Sequence, residues 1–408
     1  MSKGIPVFQK DRLIQAREAR GLTAVSLSEI VGIKKTTISK YESGIIKPTD
    51  AIVHLLSDAL KVPVNFFLKL MPPSDNAPTF YRSRVSATAH ARKRSGRKFE
   101  WLKEISDYLS HYLDFPTLNL PKIEIPDDYR KLNAELIEVA AKECRKWWGI
   151  PTGPMPNLVR LLEKNGVVIG IGKVDADNFD AFSQQRNLDG RPFMFLSTDK
   201  SIAARSRFDA AHEIAHIILH GKVDERILNT PAELKLIESH ANYFASAFLM
   251  PENEFCEDLV APSLDCFKGM KSRWKTSIAA MIMRCKSLEI IDEDQTKRLW
   301  INLNRRDWRT QEPLDDTLEL EQPKLLSQSI KMIVDGGVVT KQQLLDDLCL
   351  PQQDIEELCA LPSGFFEEDF GQIISFAKLK TDNRQPTKEL VQPSSEGDAK
   401  IIPFSTAS

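Results

Sequence analysis

Apolar positions recur at three- and four-residue spacing along most of the chain, the signature of amphipathic helices with one buried stripe. Over residues 8–68 this pattern, punctuated by turn residues, predicts five short helices. In "LTAVSLSEIVGIKKTTISKYESGIIKP", Leu27, Ile30 and Val31 form one stripe behind Thr23, a helix N-cap residue, and Gly32 ends the helix. A second helix follows at once, from about Lys35 to Ser43, stopping at Gly44, with Ile38 and Tyr41 turned inward. Two helices joined by so tight a glycine turn make a helix-turn-helix. Its outward side chains are Lys35, Thr36, Ser39 and Lys40, short polar and basic groups of the kind that reach base edges and phosphates.

Beyond this unit Pro72, Pro73 and Pro78 mark a linker, and "FEWLKEISDYLSHYLDF" reads as an amphipathic helix, an interdomain or dimer element. From about Asp128 helices alternate with strands. "LNAELIEVAAKECRKWWGI" and "PNLVRLLEKNG" are helices, whereas "VVIGIG", "FDAFS" and "PFMFLS" are short apolar runs between turn residues. Ser197 or Thr198 is placed to cap a helix of about twenty residues that stops at Gly221. The next helix, in "TPAELKLIESHANYFASAFLMP", opens on a capping box of Thr230 and Glu233 with Pro231 at its first position, and closes at Pro251. Met270–Trp308 predicts three short amphipathic helices with tryptophan anchors, and residues 323–376 hold more, among them "KQQLLDDLCL" and "QQDIEELCAL". From about Thr381 the chain is polar and proline-rich, and disorder is expected.

The expected fold class is therefore multidomain α+β. An all-α five-helix unit spans 1–70, a basic linker and connecting helix 71–127, and an α+β domain 128–258; helical regions cover 259–310 and 311–380, and a tail 381–408. The 408 residues, 42% apolar and 27% charged, describe a soluble globular protein too long for one domain. No apolar run is long enough to cross a bilayer, and nothing reads as a signal peptide. Six scattered cysteines without a C-x-x-C pair argue against a disulfide framework and against a cysteine zinc site, so a cytoplasmic protein is expected. Charge sharpens the picture. Residues 1–103 carry 19 Lys and Arg against 8 Asp and Glu, a net of +11, so the remainder carries −13 of the overall −2. A basic end on an acidic body suggests that this end meets a polyanion or is simply well solvated, and the helix-turn-helix pattern decides for double-stranded DNA as the expected partner. "RSRVSATAHARKRSGRK" (Arg82–Lys98), with seven cations and no acid, either adds phosphate contacts or is a solvated connector.

The stretch "FDAAHEIAHIILHG" holds the candidate chemistry. His212 and His216 are four apart, so both rings leave one helix face at adjacent levels and can share a tetrahedral zinc ion. Glu213, one residue round, is placed to act as a general base on water rather than as a ligand. His220 lies about 6 Å farther along the axis, out of reach of an ion centred between the other two. It is expected either to support a ligand from behind or to pack at the helix end, where its charge would suit the dipole. The downstream helix offers Glu238 as third ligand, Ala241 and Ala245 for close approach, and Asn242 to orient a ligand imidazole. Two histidines and a glutamate leave a coordination position open, the catalytic arrangement.

Two resemblances follow from these residues. "GLTAVSLSEIVGIKKTTISKYESGIIKPTDAIVHLLSDALKVPVNFF" resembles the Cro/C1-type (XRE) DNA-binding domain, with Y-E-x-G at Tyr41–Gly44, Pro48 and a closing apolar helix. It departs from that family at Lys34, where a small N-cap residue is usual. "WWGIPTGPMPNLVRLLEKNGV", "DAFS", "RPFMFLS", "RFDAAHEIAHIILH" and "ESHANYFASAFLMP" together resemble the ImmA/IrrE zinc peptidases over about residues 130–255. That resemblance implies a zincin-like α+β domain in which His212, His216 and Glu238 hold zinc and Glu213 is the general base. Members of that family typically make limited cuts in a specific partner, often a DNA-binding repressor, and some serve phage, mobile-element or toxin–antitoxin control. The function expected is a DNA-binding regulator with zinc-dependent endopeptidase activity on a repressor- or antitoxin-like protein. The alternative is a non-cleaving XRE-type repressor or antitoxin whose peptidase-like domain binds a partner or senses a signal. A homodimer is compatible with both.

Overall fold

The computed structural model describes residues 7–73, 75, 77–81, 89–175, 180–199, 202–224 and 226–367. The expected tail 381–408 and the first half of the basic run, residues 82–88, lie outside them. The amino-terminal helices are α1 (Lys10–Ala19), α2 (Ala24–Val31), α3 (Lys35–Glu42) and α4 (Asp50–Leu60), followed by a single 3-10 turn at Val64–Phe67 where a fifth helix was expected. Thr23 caps α2 through a bond from the Ser26 amide at 3.0 Å, and Gly32 takes the left-handed conformation that lets α3 follow directly. Leu27 and Val31 are buried as expected, but Ile30 is exposed. In an eight-residue helix packed along one narrow seam, the i, i+4 pair alone faces inward.

A long helix, α5 (Ala89–Ser110), comes next, then α6 (Ala134–Trp147) and α7 (Leu158–Lys164). Helices α8 (Ala203–Leu219) and α9 (Pro231–Leu249) form a packed pair, followed by α10 (Glu252–Asp258), α11 (Leu264–Trp274), α12 (Ile278–Ser287) and α13 (Glu293–Arg305). The last described helices are α14 (Leu325–Asp335), α15 (Lys341–Leu348) and α16 (Gln352–Leu358). Two expected caps do not form. Ser197 ends a strand, and α8 starts only at Ala203, with Ile202 before it. At α9, Thr230 makes no side-chain cap, and the Glu233 carboxylate that would complete the box is taken by the Tyr129 hydroxyl and the Arg130 guanidinium.

The strands are β1 (Thr79–Tyr81), β2 (Val168–Gly172), β3 (Ala181–Gln185) and β4 (Pro192–Ser197), in sheet order β1-β3-β4-β2. β2 pairs parallel with β4, and β3 is antiparallel to both β4 and β1. The two-residue alternation of strands divides the interior in two. Ile169, Ala181, Met194 and Leu196 belong to the core that holds α6 to α9 and α11 to α13. Val168, Phe182, Phe193 and Phe195 belong to a second core, shared with the amino-terminal helices, α5 and α14 to α16. Gly170 is required on this second side, because a Cβ there would sit 2.7 Å from the Leu102 methyls of α5.

The helix-turn-helix unit is thus tied into the body. Arg12, fully buried, forms a bidentate pair with Glu104 of α5 at 2.7 and 2.9 Å, beneath Phe66 packed edge-on against Trp101. Arg20 reaches Asp354 of α16 at 2.8 Å. The second half of the basic run is helical and largely paired: Arg97 with Glu18 and Glu100, buried Lys98 with Glu357, and Arg94 with Asp175. The apolar face of α5, with Trp101, Leu102, Ile105 and Leu109 buried, packs into the core shared by the amino-terminal helices, the sheet and the last described helices. Truncating Glu104 to Ala leaves the Arg12 charge buried without its carboxylate. The expected cost is on the order of 3 kcal/mol, read as a lowered urea midpoint, whereas Glu100→Ala at the exposed edge of the network changes it by under about 1 kcal/mol.

Candidate metal centre and nucleic-acid interface

Helix α8 is alanine-rich where it meets α9, and Ala211, Ala215, Ala241 and Ala245 are all buried at that contact. Small side chains let the backbones approach, so residues of the two helices meet across a short gap. His212 and His216, both fully buried, turn their Nε2 atoms to within 3.0 Å of each other. From α9 the Glu238 carboxylate lies 3.3 Å from His212 Nε2 and 3.4 Å from His216 Nε2. One ligand atom from each residue falls within a 4.8 Å cluster, the only such group among the described residues.

The surrounding hydrogen bonds set the tautomers. His212 Nδ1 faces the Asn242 carbonyl oxygen at 3.1 Å, an acceptor, so the proton sits on Nδ1 and Nε2 presents a lone pair. His216 Nδ1 meets His220 Nδ1 at 3.1 Å, which gives the second imidazole a partner on its far side as well. Burial alone pushes the Glu238 carboxyl up, and only positive charge facing it, on the imidazoles or on an ion between them, pulls it down to about 2. Two imidazole nitrogens and a carboxylate crowded together in a dry site call for a cation. Their spacing suits a tetrahedral ion with bonds of about 2.0–2.1 Å, which sets its ligands about 3.3 Å apart.

Glu213 is fully buried and turned toward the sheet, where Ser183 Oγ of β3 donates to its Oε2 at 2.6 Å. Ser183 was not singled out from the sequence. Its signal was a hydroxyl at the end of the "DAFS" strand, on the face that alternation turns toward α8. His220 is buried and stacks on His240, with ring centres 5.8 Å apart. Burial first, then His216, His240 and His212, push its pKa well below the ordinary value, so it is neutral and does not serve the helix dipole as a charge. Phe80 of β1 covers the centre from the other side, its ring stacked on His216 at 4.9 Å and 10°. A separate cavity of about 590 Å³, lined by Phe208, Met283 and Trp300 among others, reaches Asn242 but not His212, His216 or Glu238.

In the amino-terminal unit, Ile38 and Tyr41 of α3 are buried, while Lys35, Thr36, Ser39 and Lys40 are all exposed on the outer face. The helix is held in place by Arg17 of α1, which donates to Glu42 at 2.5 Å and to the Leu22 carbonyl at 2.8 Å. Lys34, exposed, stands at the N-cap of α3 without a side-chain cap, so no side chain from it satisfies the amides of the first turn. Backbone amides and a lysine together suit a phosphate.

Comparison with known families separates the same two regions. Residues 13–67 match the helix-turn-helix family model, and residues 162–286 match the model of the IrrE N-terminal-like domain, a peptidase family that is generally zinc-dependent. No curated protein matches the chain significantly. Among the described residues no helix is long and apolar enough to cross a membrane. The chain therefore joins an XRE-type helix-turn-helix domain to an IrrE N-terminal-like, metallopeptidase-like domain, in that order.

Proposed function

We propose that the protein is a DNA-binding regulator that acts as a zinc-dependent endopeptidase, making limited cuts in a repressor- or antitoxin-like protein partner. The observation that carries this reading is the convergence of His212, His216 and Glu238 within 4.8 Å, beside a glutamate positioned by Ser183. A merely structural metal site has no use for that glutamate. His212, His216 and Glu238 hold the ion, which supplies Lewis acidity toward a peptide carbonyl and makes water easier to deprotonate near neutral pH. Glu213 accepts the proton from water and delivers it to the departing amine. Ser183 fixes the carboxylate for both transfers, and Asn242 keeps His212 in the tautomer with Nε2 free for the metal. On α3, Lys35 and Lys40 neutralise phosphates while Thr36 and Ser39 meet base edges.

Purified wild type is expected to carry about one zinc per chain, Glu238→Ala to lose most of it, and Asn242→Ala to weaken zinc affinity by about 10- to 100-fold. Zinc-free wild type prepared without chelator would sink the peptidase reading. Activity is tested by mapping new protein N-termini in a lysate of the source cell. Cuts made by wild type and absent with Glu213→Gln, which should lower the rate at least about 100-fold, support the reading; an identical set from both proteins overturns it. For DNA, replacing Lys35 and Lys40 by Ala should lower the slope of log affinity against log salt by about one per lysine. An unchanged slope would remove α3 from the phosphate contacts.

A further inference from the structure

β1 is three residues drawn from the segment between the helix-turn-helix unit and α5, and it pairs with β3 as Thr79↔Gln184, Phe80↔Ser183 and Tyr81↔Phe182. Its partner Ser183 is the residue whose hydroxyl holds Glu213. Directly opposed residues share a face of the sheet, so Phe80 lies on the α8 side, flat on His216 and 6.3 Å from His220. Polar contacts guide the approach to the strand. Gln184 Nε2 donates to the Ala77 carbonyl at 2.5 Å and to Thr79 Oγ1 at 3.2 Å, and Asp75 accepts from the Asn187 amide at 3.2 Å. An extended stretch of the chain thus passes the candidate centre on the main chain of β3 and lays one aromatic ring on a ligand imidazole. Strand addition holds any extended peptide in this way, the main chain giving affinity and alternate side chains giving selectivity.

We propose that Ala77–Tyr81 is an internal, blocking occupant of the β3 edge, standing where a polypeptide on which the centre acts would lie. The substrate class is then an extended segment with an aromatic residue at the place of Phe80. The chemistry rests on the endopeptidase reading; the docking does not. A cavity of about 200 Å³ continues beside the occupant, between Pro78 and Phe80 on one side and Gln185, Ile217 and Gly221 on the other, with room for a further side chain. The internal pair is only three residues long, and so short a pair contributes little stability of its own. Tethering compensates: a short tether presents its segment at an effective concentration of order mM, which shuts out a free peptide at micromolar levels. Docking of a partner therefore requires Ala77–Tyr81 to leave.

The test uses the full-length chain carrying Glu213→Gln, so that nothing is cut, with a fluorescein-labelled peptide of the sequence of residues 75–84, DNAPTFYRSR, as probe. Adding Phe80→Gly removes the aromatic anchor from the internal occupant. The expected result is peptide binding about tenfold tighter than in the parent, with faster amide exchange across residues 181–185 before peptide is added and renewed protection afterwards. A probe with glycine at the phenylalanine position should gain nothing. Faster exchange at β3 without tighter binding would overturn the docking edge, and unchanged exchange would show that Phe80 does not hold the segment there. Should Phe80→Gly lose protection throughout α8 and α9, Phe80→Leu is read instead, with a gain of about threefold expected and no gain overturning the proposal. Zinc measured on the same samples separates the two ideas, since tighter binding by a protein that takes up no zinc retains the docking edge and removes the peptidase.

Discussion

A sheet buried on both faces governs this molecule. Strands of five or six residues cannot make a core alone, so each alternate side chain commits to one of two interiors. Phe182, Phe193 and Phe195 draw the amino-terminal helices, α5 and the last three described helices against one face. Met194, Leu196 and Ile169 draw the histidine helix against the other. Because β3 contributes to both, Phe182 and Ser183 are neighbours in sequence yet serve opposite sides, one packing toward the DNA-binding unit and the other holding Glu213.

Helix positions and chemistry were legible in the sequence where a period or a spacing enforced them. The i, i+4 histidines, the alanines at the α8–α9 contact and the carboxylate on the next helix are all consequences of 3.6-residue periodicity. Strands β2 to β4 were marked by apolar runs between turn residues. β1 escaped, because three residues inside a proline-bearing linker carry no period, and their strand conformation comes from an edge contributed about a hundred residues later. The reciprocal half of the capping box at α9 failed for a related reason. Glu233 answers to Tyr129 and Arg130, partners that local sequence does not reveal.

The basic run shows the same limit in electrostatic form. A count of charges suggested a polyanion-binding surface, and on α3 the cations Lys35 and Lys40 are exposed. Along α5, however, Arg94, Arg97 and Lys98 face carboxylates from the amino-terminal unit, the strand region and α16. Net charge reports what a segment carries, not what it faces, and a cation buried against a carboxylate is lost to long-range attraction. The excess positive charge of the first quarter is therefore divided between exposed side chains and internal wiring.

The contact between Arg20 and Asp354 spans 334 positions, and the Lys69 ammonium donates to the carbonyls of Asp347 and Leu348. Small helix-turn-helix units are usually pictured as leaving the ribosome and folding at once. Here helices α1 to α4 share their core with α14 to α16, so that core is complete only once residues near 360 have been synthesised. For most of its synthesis the nascent chain holds an unfinished DNA-binding unit with apolar surface uncovered. The two ends of the described body are thereby bound to one folding event.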